Sequence, residues 1–341
     1  MKPIPVTIVT GFLGAGKTTL LNKIMKNHQD ENIVVIVNEY GDMGIDHELV
    51  LVNEEERIYQ INSGCMCCIL RDDLVEMFYG ILDAREKEGL EIDRIIIETS
   101  GLAEPSPIAQ TVLRTPRLSE QLSIDSIITL VDAVNGVKQM HEFVETREQI
   151  AYADQAFITK SEEVADDELE RVETHIKNIN PLIAVEVLNL DTVKFEDVVG
   201  LNLFDRASGE IHRVEEDIDA MVEREHHHHH GHDHNHDHHH TGVDTLSIVT
   251  DKPLDEHKLS TWINLIIGEY GEDLMRYKGI ISIHNFDYQV VLQGVNMAFK
   301  TEMGRKWNSD ARETKIVMIG RHLQDKKITK LFNEIVLEET K

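Results

Sequence analysis

Gly11-Phe12-Leu13-Gly14-Ala15-Gly16-Lys17-Thr18 is the stretch that decides how this chain folds. It fits the pattern G-x-x-x-x-G-K-S/T, a glycine loop whose backbone N–H groups close around phosphate oxygens. Ahead of it, Val6–Thr10 is a β-branched run that predicts a strand; behind it, Leu20, Leu21, Ile24 and Met25 recur at helical spacing. Strand, glycine turn and helix in that order form the context such a loop requires. Gly11, Gly14, Ala15, Gly16 and Thr19 are then expected to line the phosphates. Lys17 is expected to reach the β and γ phosphates, and the Thr18 hydroxyl to ligate Mg2+.

Working outward, short β-branched runs alternate with helical patterns from Pro5 to about Val187, which predicts a doubly wound, mostly parallel α/β sheet. Strands are expected at Val6–Thr10, Ile33–Val37, Arg94–Glu98, Ser126–Val131, Gln155–Ile158 and Ala184–Leu188. Between the last two, Val164, Leu169, Val172 and Ile176 form one helical stripe. The third strand leads into Glu98-Thr99-Ser100-Gly101. In P-loop proteins an acid at that position holds Mg2+ or its water, and a backbone amide near the glycine senses the γ-phosphate. Lys17, Thr18 and Glu98 are thus the candidate catalytic residues, with Gly101 a nucleotide contact, although an ordinary strand exit uses the same residue types.

The fifth strand leads into Thr159-Lys160-Ser161-Glu162. Guanine presents N1–H and N2–H2 as neighbouring donors, which a carboxylate such as Glu162 accepts while a Lys160 stem covers the base face. Thr159 completes the motif, and GTP is the expected nucleotide. The alternative is a helix N-terminus capped by Ser161 with acids in its first turn.

The 341 residues carry 34 Lys plus Arg against 62 Asp plus Glu, a formal net charge of −28 at pH 7. Such a charge opposes approach to phosphate backbones and anionic lipid, so neither nucleic acid nor a membrane is an expected partner. The N-terminal apolar stretch is broken by Pro and Gly and reads as structure, not as a leader. No apolar run reaches the roughly 18 residues that span a bilayer. Acidic residues thicken from Ser208 (Glu215, Glu216, Asp217, Asp219) and lead into HHHHHGHDHNHDHHH from His226 to His240. Beyond it, Leu246–Val249, a helix pattern after Pro253, the runs Gly279–Ile283, Gln289–Leu292 and Ile316–Ile319, and a helix from about Asp325 predict a smaller α+β domain. The expected organisation is a nucleotide domain over 1–207, an acidic and His-rich linker over 208–242 and a C-terminal domain over 243–341.

All three cysteines fall within four positions, Cys65, Cys67 and Cys68. They cannot build a disulfide framework and point instead to reduced thiols in the cytosol. Three thiolates leave a tetrahedral Zn2+ site one ligand short, the fourth position falling to water, a partner, or an acid or His elsewhere, with Glu39, Asp42 and His47 as candidates. Such an open site suits transfer better than storage; three buried cysteines acting as small hydrophobes are the bland alternative. Eleven of the fifteen residues in the histidine tract are His. His226, His228, His230, His232, His234, His236, His238 and His240 and their neighbours offer imidazoles at high local density. These can bind Zn2+, Ni2+, Co2+ or Cu2+ in many equivalent arrangements, so the tract is expected to collect metal without selecting it, the alternative being a solvated spacer with no role.

Taken together, GFLGAGKTT, the segment NEYGDMGID from Asn38 to Asp46, GCMCC, ETSGLAEP from Glu98 to Pro105 and TKSE resemble the CobW-type metallochaperone GTPases. The similarity covers nearly the whole chain and extends to Trp307 and the run KIVMIGR from Lys315 to Arg321. It implies GTP hydrolysis coupled to delivery of a transition metal, zinc in many members and cobalt for cobalamin synthesis in others. It further implies that Glu39 and Asp42 lie in a switch segment near Mg2+ and that Cys65, Cys67 and Cys68 form the transferred-metal site. Two positions depart from the general guanine motif: Thr159 stands where that motif has Asn, and Glu162 where it has Asp. The resulting expectation is a cytosolic, Mg2+-dependent GTPase that hands zinc to a client metalloprotein. A cobalt chaperone, a small-molecule kinase and a metal buffer merely stabilised by nucleotide are the rivals, and a homodimer is left open.

Overall fold

A computed structural model describes residues 2–26, 31–37, 48–52, 57–60, 71–204, 242–308, 312–323 and 327–337. The chain divides into two compact units, the first Met1–Asn178 with Ile183–Asp205, the second Arg206–Lys341 with Ile179–Leu182. Among the described residues, no helix is long and apolar enough to cross a membrane.

The first unit is an eight-stranded sheet built from β1 (Ile4–Gly11), β2 (Ile33–Val37), β3 (Glu48–Val52), β4 (Arg57–Gln60), β5 (Arg94–Glu98), β6 (Leu122–Asp132), β7 (Gln155–Thr159) and β8 (Ala184–Val187). Their order is β4-β3-β2-β5-β1-β6-β7-β8. The six strands from β2 to β8 in that order run parallel, as the β-branched runs predict for strands buried on both faces. Connecting them are α1 (Lys17–Lys26), α2 (Arg71–Lys87), α3 (Ser106–Arg114), α4 (Pro116–Gln121), α5 (Gly136–Glu142), α6 (Val144–Tyr152) and α7 (Asp166–Ile179). Leu20, Leu21 and Ile24 of α1 are buried against Val9, Ile96, Ile128 and Phe157 of the sheet. The expected stripe on α7 buries Val172 and Ile176 fully.

In this unit two features differ from expectation. The sheet continues past β2 into an antiparallel hairpin, β3 with β4, which the sequence reading did not foresee. Strand β6 begins at Leu122 instead of Ser126 because Asp125, a buried carboxylate, is kept inside the sheet by partners. Its oxygens accept from Thr7 Oγ1 at 2.9 Å and from the Asn202 N–H at 2.8 Å. A charge so satisfied does not end a strand.

The chain runs from β1 out to β2, returns to β5 beside β1, then crosses to β6 on its other side. The loop after β1 therefore stands at the point where strand order reverses, where open α/β sheets bind ligands beyond their carboxyl ends.

The second unit is an antiparallel sheet of order β12-β11-β10-β13-β9. Its strands are β9 (Asp244–Thr250), β10 (Leu274–Ile281), β11 (Tyr288–Val295), β12 (Ala298–Lys306) and β13 (Thr314–Gly320). Helix α8 (Glu256–Tyr270) is capped by Asp255, which accepts from the Lys258 N–H at 2.9 Å. It buries Trp262, Ile263 and Ile266 against Tyr277, Leu292, Ile316 and Met318. The short helix α9 (Ile328–Phe332) sets Phe332 edge-on to Trp262, with centroids 5.0 Å apart. Strand β12 was not foreseen: most of its nine side chains are at least partly exposed, so it lacks the apolar run of a central strand.

Candidate functional site

The phosphate loop leaves β1 at Gly11, whose φ is +138°. A Cβ there would lie 2.5 Å from the Leu130 carbonyl oxygen on β6, so only glycine lets the loop pass this close to the neighbouring strand. Gly14 (φ +80°) and Gly16 (φ +98°) carry the turn into α1. No acid occupies the first turn of α1, so its N-terminal N–H groups and dipole are left to an anion.

Lys17 is buried and folds back over the loop, its Nζ donating to the carbonyls of Gly11 at 2.7 Å and Phe12 at 3.2 Å. Burial lowers its pKa from the ordinary lysine value, and the nearby charge of Glu98 opposes that shift. Thr18 Oγ1 donates to Glu98 Oε1 at 2.6 Å across 80 residues of sequence. The sheet makes this pair, since Val9 of β1 is in register with Glu98 of β5. A hydroxyl and a carboxylate so converged are hard oxygen donors of the kind Mg2+ takes with few protein ligands, and the residues fit that ion. Next along, Thr99 Oγ1 donates to Thr10 Oγ1 at 2.8 Å, fastening the two strand ends together.

Gly101 lies in the turn that follows. A Cβ there would meet Leu13 N at 2.7 Å and Leu13 Cδ2 at 2.6 Å, so the turn is pressed against the phosphate loop. The far side of the loop is held by Thr159, whose Oγ1 donates to the Ala15 carbonyl at 2.9 Å. Lys160 has a left-handed backbone (φ 58°) and pairs through Nζ with Asp132 Oδ2 at 2.7 Å. Glu162 is exposed in a 3-10 turn, Ser161–Glu163, so Ser161 does not cap the helix; α7 starts later, at Asp166. Thr19 is exposed at the start of α1 beside Thr18.

Asp132 was not anticipated. It ends β6 as Glu98 ends β5, an acid closing a β-branched run, and that signal was available in the sequence. Its Oδ1 accepts from the Val134 N–H at 2.8 Å, and Oδ2 from Asn135 Nδ2 at 3.0 Å as well as from Lys160. Burial alone would raise its pKa, but the hydrogen bonds from Asn135, Lys160 and the Val134 amide outweigh it and hold the carboxyl below its ordinary range. Gln149, buried on α6, was also missed; it donates to the Gly101 carbonyl at 3.1 Å.

Lys17, Thr18, Glu98, Gly101 and Thr159 thus gather around one loop. The expected metal ligands Glu39, Asp42, Cys65, Cys67 and Cys68, and the histidines from His226 to His240, lie outside the described residues, as does His47. Among the described residues, no three His, Cys, Asp or Glu side chains are grouped to hold a metal ion.

A glycine loop at the sheet's switch point, a buried lysine over it and a Thr–acid pair beside it define a P-loop nucleotide-binding protein. The chain belongs to the CobW/HypB/UreG family: the nucleotide-binding domain of that family matches residues 5–186. The cobalamin synthesis protein cobW C-terminal domain matches residues 243–336. The chain is 31% identical over 332 residues to the zinc chaperone YjiA of Escherichia coli K12, covering 97% of this chain and 98% of that one. It is 33% identical over 360 residues to the zinc chaperone CobW of Pseudomonas aeruginosa, covering 95% and 89% respectively. The crystal structure of zinc(II)-bound YjiA GTPase from E. coli superposes with a TM-score of 0.72 at 25% identity, over 98% of this chain and 99% of that one.

Proposed function

We propose that this chain is a GTPase that carries zinc to a client metalloprotein, its nucleotide state setting how tightly the metal is held. The observation that carries the reading is the Thr18–Glu98 pair, 2.6 Å apart beside the buried Lys17, in a chain similar to proteins named zinc chaperones. Thr18 and Glu98 would hold Mg2+, which when bound supplies positive charge to the β and γ phosphates. Lys17, held over the loop by two carbonyls, adds a preorganised cation where charge gathers in phosphoryl transfer. The loop amides from Gly14 to Thr19 cradle the phosphates, and the Gly101 turn meets the γ-phosphate. Lys160, steadied by Asp132, covers the guanine face while Glu162 accepts from its two donors.

The cargo in this reading is zinc, bound by Cys65, Cys67 and Cys68, with Glu39 and Asp42 of the switch segment as further metal ligands. The tract from His226 to His240 gathers further metal within a linker over 208–242, between a nucleotide domain over 1–207 and a C-terminal domain over 243–341. Thiolates serve as metal ligands only while reduced, which fits a cytosolic protein. The test is GTP turnover in Mg2+ with no phosphoryl acceptor present, run beside ATP, together with zinc release to a chromophoric chelator. The reading expects GTP to be preferred and release to follow the nucleotide. Turnover only with an added acceptor would make the protein a kinase, and release indifferent to nucleotide would make it a buffer.

A further inference from the structure

We propose that Gln149 is a positioning residue for the γ-phosphate, one that fixes the turn Ser100–Ala103 against the phosphate loop through its buried side-chain amide. The proposal rests on the GTP-hydrolysis reading above and adds to it the part that sets the turn.

Gln149 sits on α6 and is 1% exposed. Its Nε2 donates to the Gly101 carbonyl at 3.1 Å and to the Ala103 carbonyl at 3.2 Å. Two carbonyl acceptors decide which end of the amide faces the turn, because the oxygen end would repel both. The turn is closed on itself by the Ala103 N–H donating to the Ser100 carbonyl at 3.1 Å. The Leu102 N–H reaches Ser100 Oγ at the longer distance of 3.3 Å. On the opposite side Gly101 lies against Leu13, too near for any Cβ. Gln149 and the phosphate loop therefore grip the turn from two sides.

Because a peptide unit is planar, a fixed Gly101 carbonyl also fixes the direction of the Leu102 N–H. The Gln149 amide thereby dictates which backbone donors the turn can offer to a phosphate on the Leu13 side. Gln149 Oε1, meanwhile, is buried and has no hydrogen-bond partner among the described residues. A bare buried acceptor is unfavourable, and a small rotation of the turn that brings an N–H to Oε1 relieves it. The amide thus supports two arrangements, the one seen, with carbonyls on Nε2, and one with an N–H on Oε1. A γ-phosphate that recruits backbone N–H groups biases the choice between them; GDP, which lacks that group, does not. Gln149 acts through the turn and touches no substrate.

The experiment compares the full chain with Gln149→Met and Gln149→Glu, both close in volume and both unable to offer two N–H donors at neutral pH. Affinity for GDP is expected to stay within about twofold, while affinity for a non-hydrolysable GTP analogue weakens about tenfold and kcat falls about ten- to a hundredfold with a smaller change in KM. Equal losses for GDP and the analogue would overturn the proposal, as would wild-type kcat in both variants. Should both variants misfold, amide hydrogen exchange of Leu102 and Ala103 in the wild type decides. Different protection in the analogue and GDP forms supports the two arrangements, and identical protection overturns them. A wild-type chain with no GTP turnover would count against the hydrolysis reading alone, since the ratio of analogue to GDP affinity still reports on Gln149.

Discussion

Thr159 Oγ1 donates a hydrogen bond to the Ala15 carbonyl at 2.9 Å, although the two residues are 144 apart in sequence. Thr159 is fully buried at the end of β7, and Ala15 is the middle of the phosphate loop. Thr159 is thus a strut for the phosphate loop; in the proposed reading, where Lys160 and Glu162 receive the base, it sets the two ends of the nucleotide pocket against each other. This also gives a reason for a threonine where the general motif has asparagine: a short hydroxyl suffices to reach the loop.

Replacing Thr159 by Val keeps shape and burial but leaves the Ala15 carbonyl without this donor. A buried hydrogen bond of this kind contributes about 0.5–1.5 kcal/mol. GTP and GDP should therefore both bind about three- to tenfold more weakly in a fluorescent-nucleotide titration. Unchanged affinity for both would show that the strut does not shape the pocket.

Lys17→Ala removes the cation held over the loop by the Gly11 and Phe12 carbonyls. GTP turnover should fall at least about a hundredfold, because phosphoryl transfer depends mainly on preorganised charge. Near-normal kcat in single-turnover measurements would remove Lys17 from the catalytic machinery.

Asp132→Asn tests the acid that steadies Lys160. The folded-state pKa of Asp132 is depressed, so its stabilisation is complete above the ordinary carboxylate range, about pH 4, and is lost as pH falls below that toward the folded value. The variant should be less stable than wild type at pH 7, and the gap between the two should narrow in urea titrations as pH falls below about 4. A gap that stays constant with pH would mean the carboxylate's charge is irrelevant.

The legibility of this molecule in its sequence follows the range of the interactions involved. The phosphate loop, Glu98 and the six parallel strands could be read because glycine spacing and β-branched runs are local signals. Hairpin β3–β4 escaped because ELVLV and RIYQ are short and separated by acids, and their pairing comes from β2. Strand β12 escaped for a similar reason: AFKTEMGRK is a sheet edge, and its strand character is lent by β11. Asp132 carried the same signal as Glu98 and was overlooked. Gln149 carried none, since its role depends on two carbonyls 46 and 48 residues away.

Gly294→Ala probes the C-terminal unit. A Cβ there would lie 2.1 Å from Cζ of Tyr277, a buried ring whose hydroxyl donates toward the carbonyls of Asn296 and Ala298, 3.2 Å from each. Burial pushes the phenol's pKa up, so the hydroxyl remains a neutral donor across the ordinary pH range. To admit the methyl, the ring must leave both carbonyls and press on α8, at a cost of about 2–4 kcal/mol. Calorimetry should show a lower Tm, and an unshifted transition would mean the sheet has slack at this crossing.

The central claim is that nucleotide and metal are coupled through the segment Asn38–Asp46 and the thiols Cys65, Cys67 and Cys68. Coupling between two sites is reciprocal, so if zinc changes the ratio of GTP to GDP affinity, nucleotide must change zinc affinity by the same factor. The decisive measurement is the zinc Kd of the full chain, titrated against a competing chelator, in the GTP-analogue and GDP states. The account predicts a difference of about 1–3 kcal/mol between the two, abolished in a Cys67→Ser, Cys68→Ser variant that still binds both nucleotides. Equal zinc affinity in the two states would contradict it.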